Sequence, residues 1–366
     1  MHHFIKSSIV LLSFIFSLQN AVAAQPKISS YVVQGISSQQ MLKIADRFEV
    51  SRSHKNAYEV LVPETRRGEF ISLAPTARIL VQDISQSVRE VFRLSQQSPL
   101  RTAGYHSFKE VTEMLNAVAL RYPAIANLVQ YGVSTNGKPL LALRVSNHLN
   151  DGKQVPRIML TAATHGDEII TTEVLLNLMN SFLEGASTNP RFAEYLDKLE
   201  IVFIPVVNPD GFSEQDRYDN GSDPNRSYPF PENVNGAPTA SINGIINFVK
   251  KYPLTGSVDF HAYGRLIMFP WGYTKEAPPI QTQKVFEDVT KKMATTNAYT
   301  YGQISRVIYV AKGSSADFYF WKFNALSLGI EIGDSKAPVS AKIGKYTLEQ
   351  SESTWLFLDY FTHLRR

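Results

Sequence analysis

The sequence predicts an α/β fold: a mixed, mostly parallel central sheet flanked by helices on both faces, preceded by a small α+β unit. Three observations lead there. After Tyr105, apolar runs of strand length alternate with segments whose apolar residues recur at helical spacing. Several of those runs are apolar throughout, as strands covered on both faces by helices are. Upstream the elements are shorter, and a polar stretch with Pro99 and Gly104 separates them from the rest.

The first 23 residues, ending "LQNAVA", read as a signal peptide. Lys6 gives a positive start, Ile9 to Leu18 is mostly apolar, and Ala21-Val22-Ala23 suits cleavage. The mature protein is therefore expected to be exported, periplasmic or secreted, with no transmembrane segment. Residues 24–93 form the small unit: "SSQQMLKIADRFEV" reads as a helix, "NAYEVLVPE" as a strand, "RGEFISLAP" as a helix or turn, and "ARILVQDIS" as a strand. Residues 94–104 read as a connector and 105–366 as the main domain. There "SFKEVTEMLNAVALRYP" is a helix ended by Pro123. "LLALRVSN", "RIMLTAAT", "EIVFIPVVN", "GSVDFHAYG" and "LSLGIEIGD" are strands. "TTEVLLNLMNSFLEG", "IQTQKVFEDVTKKMATT" and "TLEQSESTWLFLDYFTHL" are helices.

Composition narrows the function. The chain is 44% hydrophobic and 19% charged, as a packed globular domain is. A net charge of +4 without a long basic block argues against nucleic acid. There is no cysteine, so a thiol nucleophile is excluded.

Chemistry concentrates in "THGDE". His165 and Glu168 lie three apart where an apolar strand gives way to a helix, and His261 closes another apolar strand. Glu331 sits inside the last strand, where a carboxylate is costly unless paired, protonated or metal-bound. His54, His106, His148 and His363 lie in polar or terminal stretches and read as solvated or locally bonded. Two imidazoles and one carboxylate, His165, His261 and Glu168, suit a hydrolytic zinc site with a fourth position open to water. His-x-x-Glu alone is also consistent with a helix cap.

Six ordered blocks, "THGDE", "VNPDGF", "DPNRSYP", "DFHAYG…MFPWGYT", "IYVAKGSSADF" and "GIEIGD", resemble the zinc metallocarboxypeptidases of the carboxypeptidase A type, in a bacterial form. The resemblance runs from Tyr105 to the end. It implies one Zn²⁺ per chain, held by His165, Glu168 and His261. It makes Glu331 the catalytic carboxylate and Arg217 the oxyanion-stabilising arginine, although the spacing from Arg217 to Asn225 is one residue shorter than the compact pattern. Asn225 and Arg226 would grip the substrate's terminal carboxylate, Tyr309 and Tyr263 would contact substrate, and Asp223 would orient a histidine ligand. Asp167 stands where digestive members carry arginine.

The implied side-chain pocket is formed by Met268, Gly272, Ile304, Ile308, Ala316 and Gly329, with Ala316 at its floor. An apolar, roomy pocket suits apolar or aromatic C-terminal residues. Arg306 and Lys312, close in sequence to that wall, could instead receive a carboxylate of a cell-wall stem peptide. The expected partners are thus peptide or protein C-termini or peptidoglycan stem peptides, and the expected state is a monomer. A non-catalytic zinc-binding module is the alternative from another class. The small unit resembles the family's pro-domain, with activating cleavage expected near Arg101.

Overall fold

The computed structural model describes residues 27–53, 57–97 and 104–364. The leader, His54 and Arg101 lie outside them. No helix among the described residues is long and apolar enough to cross a membrane.

The small unit is a four-stranded antiparallel sheet of β1 (Ile28–Gln34), β2 (Glu49–Ser53), β3 (Ala57–Pro63) and β4 (Arg78–Val81), in the order β2-β3-β1-β4. Helices span Ser38–Ala45, Arg67–Leu73 and Ile84–Gln97. Two sequence readings change here. "SSQQMLKIADRFEV" is helical only to Ala45; Phe48 and Val50 continue the apolar spacing, but Glu49 opens β2. Leu94–Gln97, read as connector, form the last turn of the helix that begins at Ile84.

The main domain carries an eight-stranded sheet. Its strands are β5 (Ala126–Val133), β6 (Pro139–Val145), β7 (Arg157–Thr161), β8 (Glu200–Ile204), β9 (Gly256–His261), β10 (Leu266–Phe269), β11 (Thr300–Gln303) and β12 (Leu326–Glu331). The order is β11-β10-β12-β9-β7-β8-β6-β5. The central run β12, β9, β7 and β8 is parallel, while β5, β6 and the β10–β12 pair run antiparallel. All residues of β8 and β9 are buried, the polar Glu200, Ser257, Asp259 and His261 included, as in strands covered on both faces. Helices Ile169–Gly185 and Ile343–Thr362 pack against each other and share one core with Ile158, Leu160, Phe203, Phe260 and Leu328; helix Ala240–Lys251 belongs to a second core with Met159 and Val202. His261 and Glu331 are the last residues of β9 and β12, and His165 follows β7. The parallel core thus delivers its chemistry at the carboxyl ends of the strands.

The main domain's first helix, Phe108–Arg121, starts at a capping box between Ser107 and Glu110. Just before it, the His106 backbone N–H donates to Glu173 Oε1 at 2.7 Å, and the ring Nδ1 lies 2.8 Å from Oε2. That hydrogen bond raises the imidazole pKa above 6.5, against the opposing effect of burial. A value raised by folding contributes stability fully below the unfolded pKa and loses it as pH climbs through the folded one. The Tm advantage of wild type over His106→Gln should therefore shrink as pH rises from 6.5. A difference constant with pH, in paired calorimetric scans, would contradict the assignment.

The small unit sits on the main domain. Its core residues Val33, Phe48, Val50 and Val60 form one apolar cluster with Leu266, Met268, Ile304, Tyr309 and Ala316.

Candidate metal centre and substrate pocket

Between β7 and helix Ile169–Gly185 the chain turns through His165-Gly166-Asp167-Glu168. Glu168 is the residue immediately before the helix, and its carbonyl accepts from Thr171 Oγ1. Gly166 is required by packing. A Cβ there would lie 2.1 Å from the carbonyl carbon of Gly211 and 2.5 Å from the carbonyl oxygen of Asp216. Neither is a mobile side chain, so Gly166→Ala must push the two loops apart. The expected cost is about 1–3 kcal/mol, seen as a lower Tm together with weaker metal retention. An unchanged Tm would mean that the loops do not meet as described.

His165, Glu168 and His261 are all buried, and one donor atom from each lies within 4.8 Å of the others. The Nδ1 atoms of the two histidines are 3.2 Å apart, and Glu168 oxygens lie 2.8 Å from His165 Nδ1 and 3.1 Å from His261 Nδ1. On the far side of each ring, Nε2 meets a carboxylate: Asp223 Oδ1 at 3.1 Å for His165 and Asp259 Oδ2 at 3.1 Å for His261. Each ring thus has a carboxylate at both nitrogens; with the Nε2 protons held by Asp223 and Asp259, two Nδ1 lone pairs and the Glu168 carboxylate face one another. Such a convergence repels itself unless a cation lies between. Zinc ligands about 2.0–2.1 Å from the ion in tetrahedral geometry stand about 3.4 Å apart, close to the separations here. The donor set and its outer carboxylates fit zinc.

Asp259 escaped the sequence reading, although a signal existed. It precedes His261 by two on β9, so the pair shares a face. Asp259 also accepts hydrogen bonds from Thr161, Thr164 and Ser315.

The other candidates surround this centre. Glu331 is half-buried and lines the same cavity. Burial, and next the Glu168 charge, push its carboxyl up to about 7. Arg217, only 3% exposed, donates from Nη2 to Asp223 at 2.8 Å, and its Nη1 lies 3.5 Å from Glu168. Burial favours neutral Asp223, but Arg217 and then His165 override it and hold the carboxyl well below its usual range. Asn225 Oδ1 accepts from the Ser315 N–H, and its Nδ2 lies 3.2 Å from His261 Nε2. Arg226 donates to the Tyr309 hydroxyl and to the Asn225 carbonyl.

The cavity is lined by His165, Glu168, His261, Asn225, Arg226, Tyr263 and Tyr309, and by an apolar wall of Met268, Ile304, Ile308, Ala311 and Ala316, with Gly329. Gly272 is not in the lining; its N–H donates to the buried Asp317 carboxylate behind the wall. Arg306 and Lys312 are not in the lining either. Arg306 donates to the Lys275 carbonyl and Lys312 pairs with Glu232, both at exposed positions.

Two lining residues come from the small unit, Glu49 and Val50. Glu49 Oε2 lies 2.9 Å from Arg217 Nη1 and 3.2 Å from Nζ of Lys336, which is 2% exposed. Tyr263 is hydrogen-bonded to Glu59 of β3.

Residues 111–353 match the zinc carboxypeptidase family. The chain belongs to that family. A zinc carboxypeptidase of Saccharothrix mutabilis subsp. capreolus is 26% identical over 320 residues, covering 73% of this chain and 71% of its own. Carboxypeptidase A2 of Mus musculus is 25% identical over 327 residues, or 77% of each chain. The crystal structure of carboxypeptidase A from Helicoverpa armigera shares the fold with a TM-score of 0.75 at 18% identity, covering 92% of this chain and 98% of that one. Thrombin activatable fibrinolysis inhibitor shares it with a TM-score of 0.71 at 16% identity and the same coverage. This zinc carboxypeptidase therefore has its family's metal and a cluster positioned to hold it, and it is a hydrolase rather than a non-catalytic module.

Proposed function

We propose that this zinc carboxypeptidase is exported and removes apolar or aromatic residues from the C-termini of peptides and proteins, with Glu331 as its general base. One observation carries the reading: Glu331, Arg226 and an apolar wall ending at Ala316 open onto one cavity beside the metal cluster. Zinc bound by His165, Glu168 and His261 supplies Lewis acidity for the amide carbonyl and makes water at the open position more acidic. Glu331 takes the water's proton and returns it to the departing amine; a carboxyl raised toward neutrality suits both transfers. Arg217 stabilises the oxyanion that forms at the scissile carbonyl.

Asn225 and Arg226 hold the terminal carboxylate, for which the planar guanidinium fork is suited. Tyr309, next to Arg226, closes over the bound residue, and Tyr263 borders it. The side chain enters the wall of Met268, Ile304 and Ile308, whose floor at Ala316 carries no charge. A cell-wall stem peptide is the alternative substrate, allowed by the His165-Gly166-Asp167-Glu168 form and by export, with Arg306 and Lys312 outside the cavity lining adding no support to it. Export rests on the leader's pattern of Lys6, apolar run and Ala-Val-Ala. Residues 24–93 act as a pro-segment, because Glu49 and Val50 reach the cavity that substrate must enter, and cleavage near Arg101 relieves them.

The test is product analysis by mass spectrometry on a pool of peptides with free or amidated C-termini, before and after limited proteolysis of the purified chain. Stepwise loss of single apolar residues from free termini only, faster after proteolysis, is the expected result. Cleavage of amidated peptides at equal rate overturns the exopeptidase reading, and equal rates before and after proteolysis overturn the pro-segment.

A further inference from the structure

The first turn of one short helix touches three parts of the site at once. Helix Ser315–Phe323 begins at Ser314, whose side chain caps it by accepting from the Asp317 N–H. Ser315 is the first helical residue and is only 3% exposed. Its Oγ donates to Asp259 Oδ2 at 2.7 Å, the same oxygen that lies 3.1 Å from His261 Nε2. Its backbone N–H donates to Asn225 Oδ1 at 2.9 Å. The next residue, Ala316, lines the apolar wall, and its carbonyl accepts from Ser327 Oγ of β12, which ties the turn to the sheet.

Each bond fixes something that its partner alone leaves open. Asp259 Oδ1 is held by Thr161 and Thr164, while Oδ2 is shared by His261 and Ser315. The Ser315 hydroxyl thus sets where that carboxylate holds the imidazole. An asparagine amide has an acceptor end and a donor end, and their partners decide which way it faces. The Ser315 N–H takes the Asn225 oxygen, which leaves Nδ2 on the side of His261, 3.2 Å from its Nε2. With the Nε2 proton held by Asp259, that ring nitrogen accepts nothing, and Nδ2 keeps its hydrogens for a ligand in the cavity that Asn225 lines. The two loops are also packed tightly. The Tyr228 N–H donates to the Gly313 carbonyl at 3.1 Å, and a Cβ on Gly313 would meet the Arg226 carbonyl oxygen at 2.4 Å.

Resting on the carboxypeptidase reading, we propose that Ser315 is a positioning residue with two separable arms. Its hydroxyl orients the metal ligand His261 through Asp259. Its N–H turns the Asn225 amide so that Nδ2 donates to the substrate's terminal carboxylate. The separation between metal and carboxylate clamp, which decides that only the last peptide bond is cut, is then set by one residue.

Two substitutions separate the arms. Ser315→Ala removes the hydroxyl and keeps the N–H. Ser315→Pro removes both where a helix accepts proline, at its first residue and after Ser314 in extended backbone (φ −85°, ψ 154°). Zinc affinity of the full-length chains, from competition with a chromogenic chelator, should fall about tenfold in both, as when an outer partner of a metal ligand is lost. The second readout is the ratio of kcat/KM for acetyl-Gly-Gly-Phe over its amide, after limited proteolysis and with zinc in excess. That ratio should stay at the wild-type value in Ser315→Ala and fall about fivefold or more in Ser315→Pro, through KM, the effect of one misplaced hydrogen bond. A serine needed only for folding would lower the Tm of both variants and leave zinc affinity and the ratio unchanged. Wild-type zinc affinity in Ser315→Ala overturns the proposal whether or not Ser315→Pro folds, and a wild-type ratio in folded Ser315→Pro overturns the clamp arm. Failure of the carboxypeptidase reading looks different: the wild-type enzyme itself would cleave the peptide and its amide alike, while the zinc measurement still judges Ser315.

Discussion

Replacing Glu331 with glutamine should lower kcat by about 10²–10⁴-fold, the range for loss of a positioned general base, while zinc content and KM stay close to wild type. Glu331 ends β12, parallel to β9 and in register with His261. Glutamine matches its size and keeps that position, but it neither accepts the water's proton nor delivers one to the amine. The metal ligands are separate side chains, so the ion remains. Steady-state kinetics with elemental analysis of the same preparation check both halves. Activity within tenfold of wild type at full zinc occupancy would remove Glu331 from the reaction.

Arg226→Ala should lower kcat/KM for free-carboxyl peptides by about 30–1000-fold, following the 2–4 kcal/mol attached to truncating one partner of a desolvated charge pair. Part of that loss is the cost of leaving the substrate's carboxylate unpaired. The variant should also discriminate poorly between free and amidated termini, because the group that tells them apart is gone. Retained discrimination, read from competing free and amidated peptides in one reaction, would place carboxylate recognition on another residue.

Much of the main domain was legible because its central strands are apolar on both faces and its long helices are periodic. The elements that escaped had weaker patterns. β1 begins Ile28-Ser29-Ser30-Tyr31, and both serines are buried, so neither alternation nor a solid apolar run marks it. β10 and β11 are four residues each, too short for a period to register. β2 was hidden because Phe48 and Val50 continue the apolar spacing of the preceding helix without a glycine or proline to stop it.

The site divides in the same way. His165, His261 and Glu331 stood out as costly groups in or beside apolar strands, which is a local signal. Glu49, Lys336 and Glu59 gave none. The Glu49–Lys336 contact joins residues 287 apart, and a charged residue in a short half-exposed stretch looks the same whether it faces solvent or an arginine. Arg306 and Lys312 show the converse. Nearness in sequence to the pocket wall placed them beside it, and the backbone between carries both side chains away.

The metal is the central claim. Zinc per chain should be measured by elemental mass spectrometry on wild type and on His261→Ala, after both have been stripped, reloaded with zinc and freed of excess. One zinc per wild-type chain and close to none on a folded His261→Ala chain is the expected result. Wild type that stays folded yet takes up no zinc, or a His261→Ala chain that keeps a full equivalent, would contradict it.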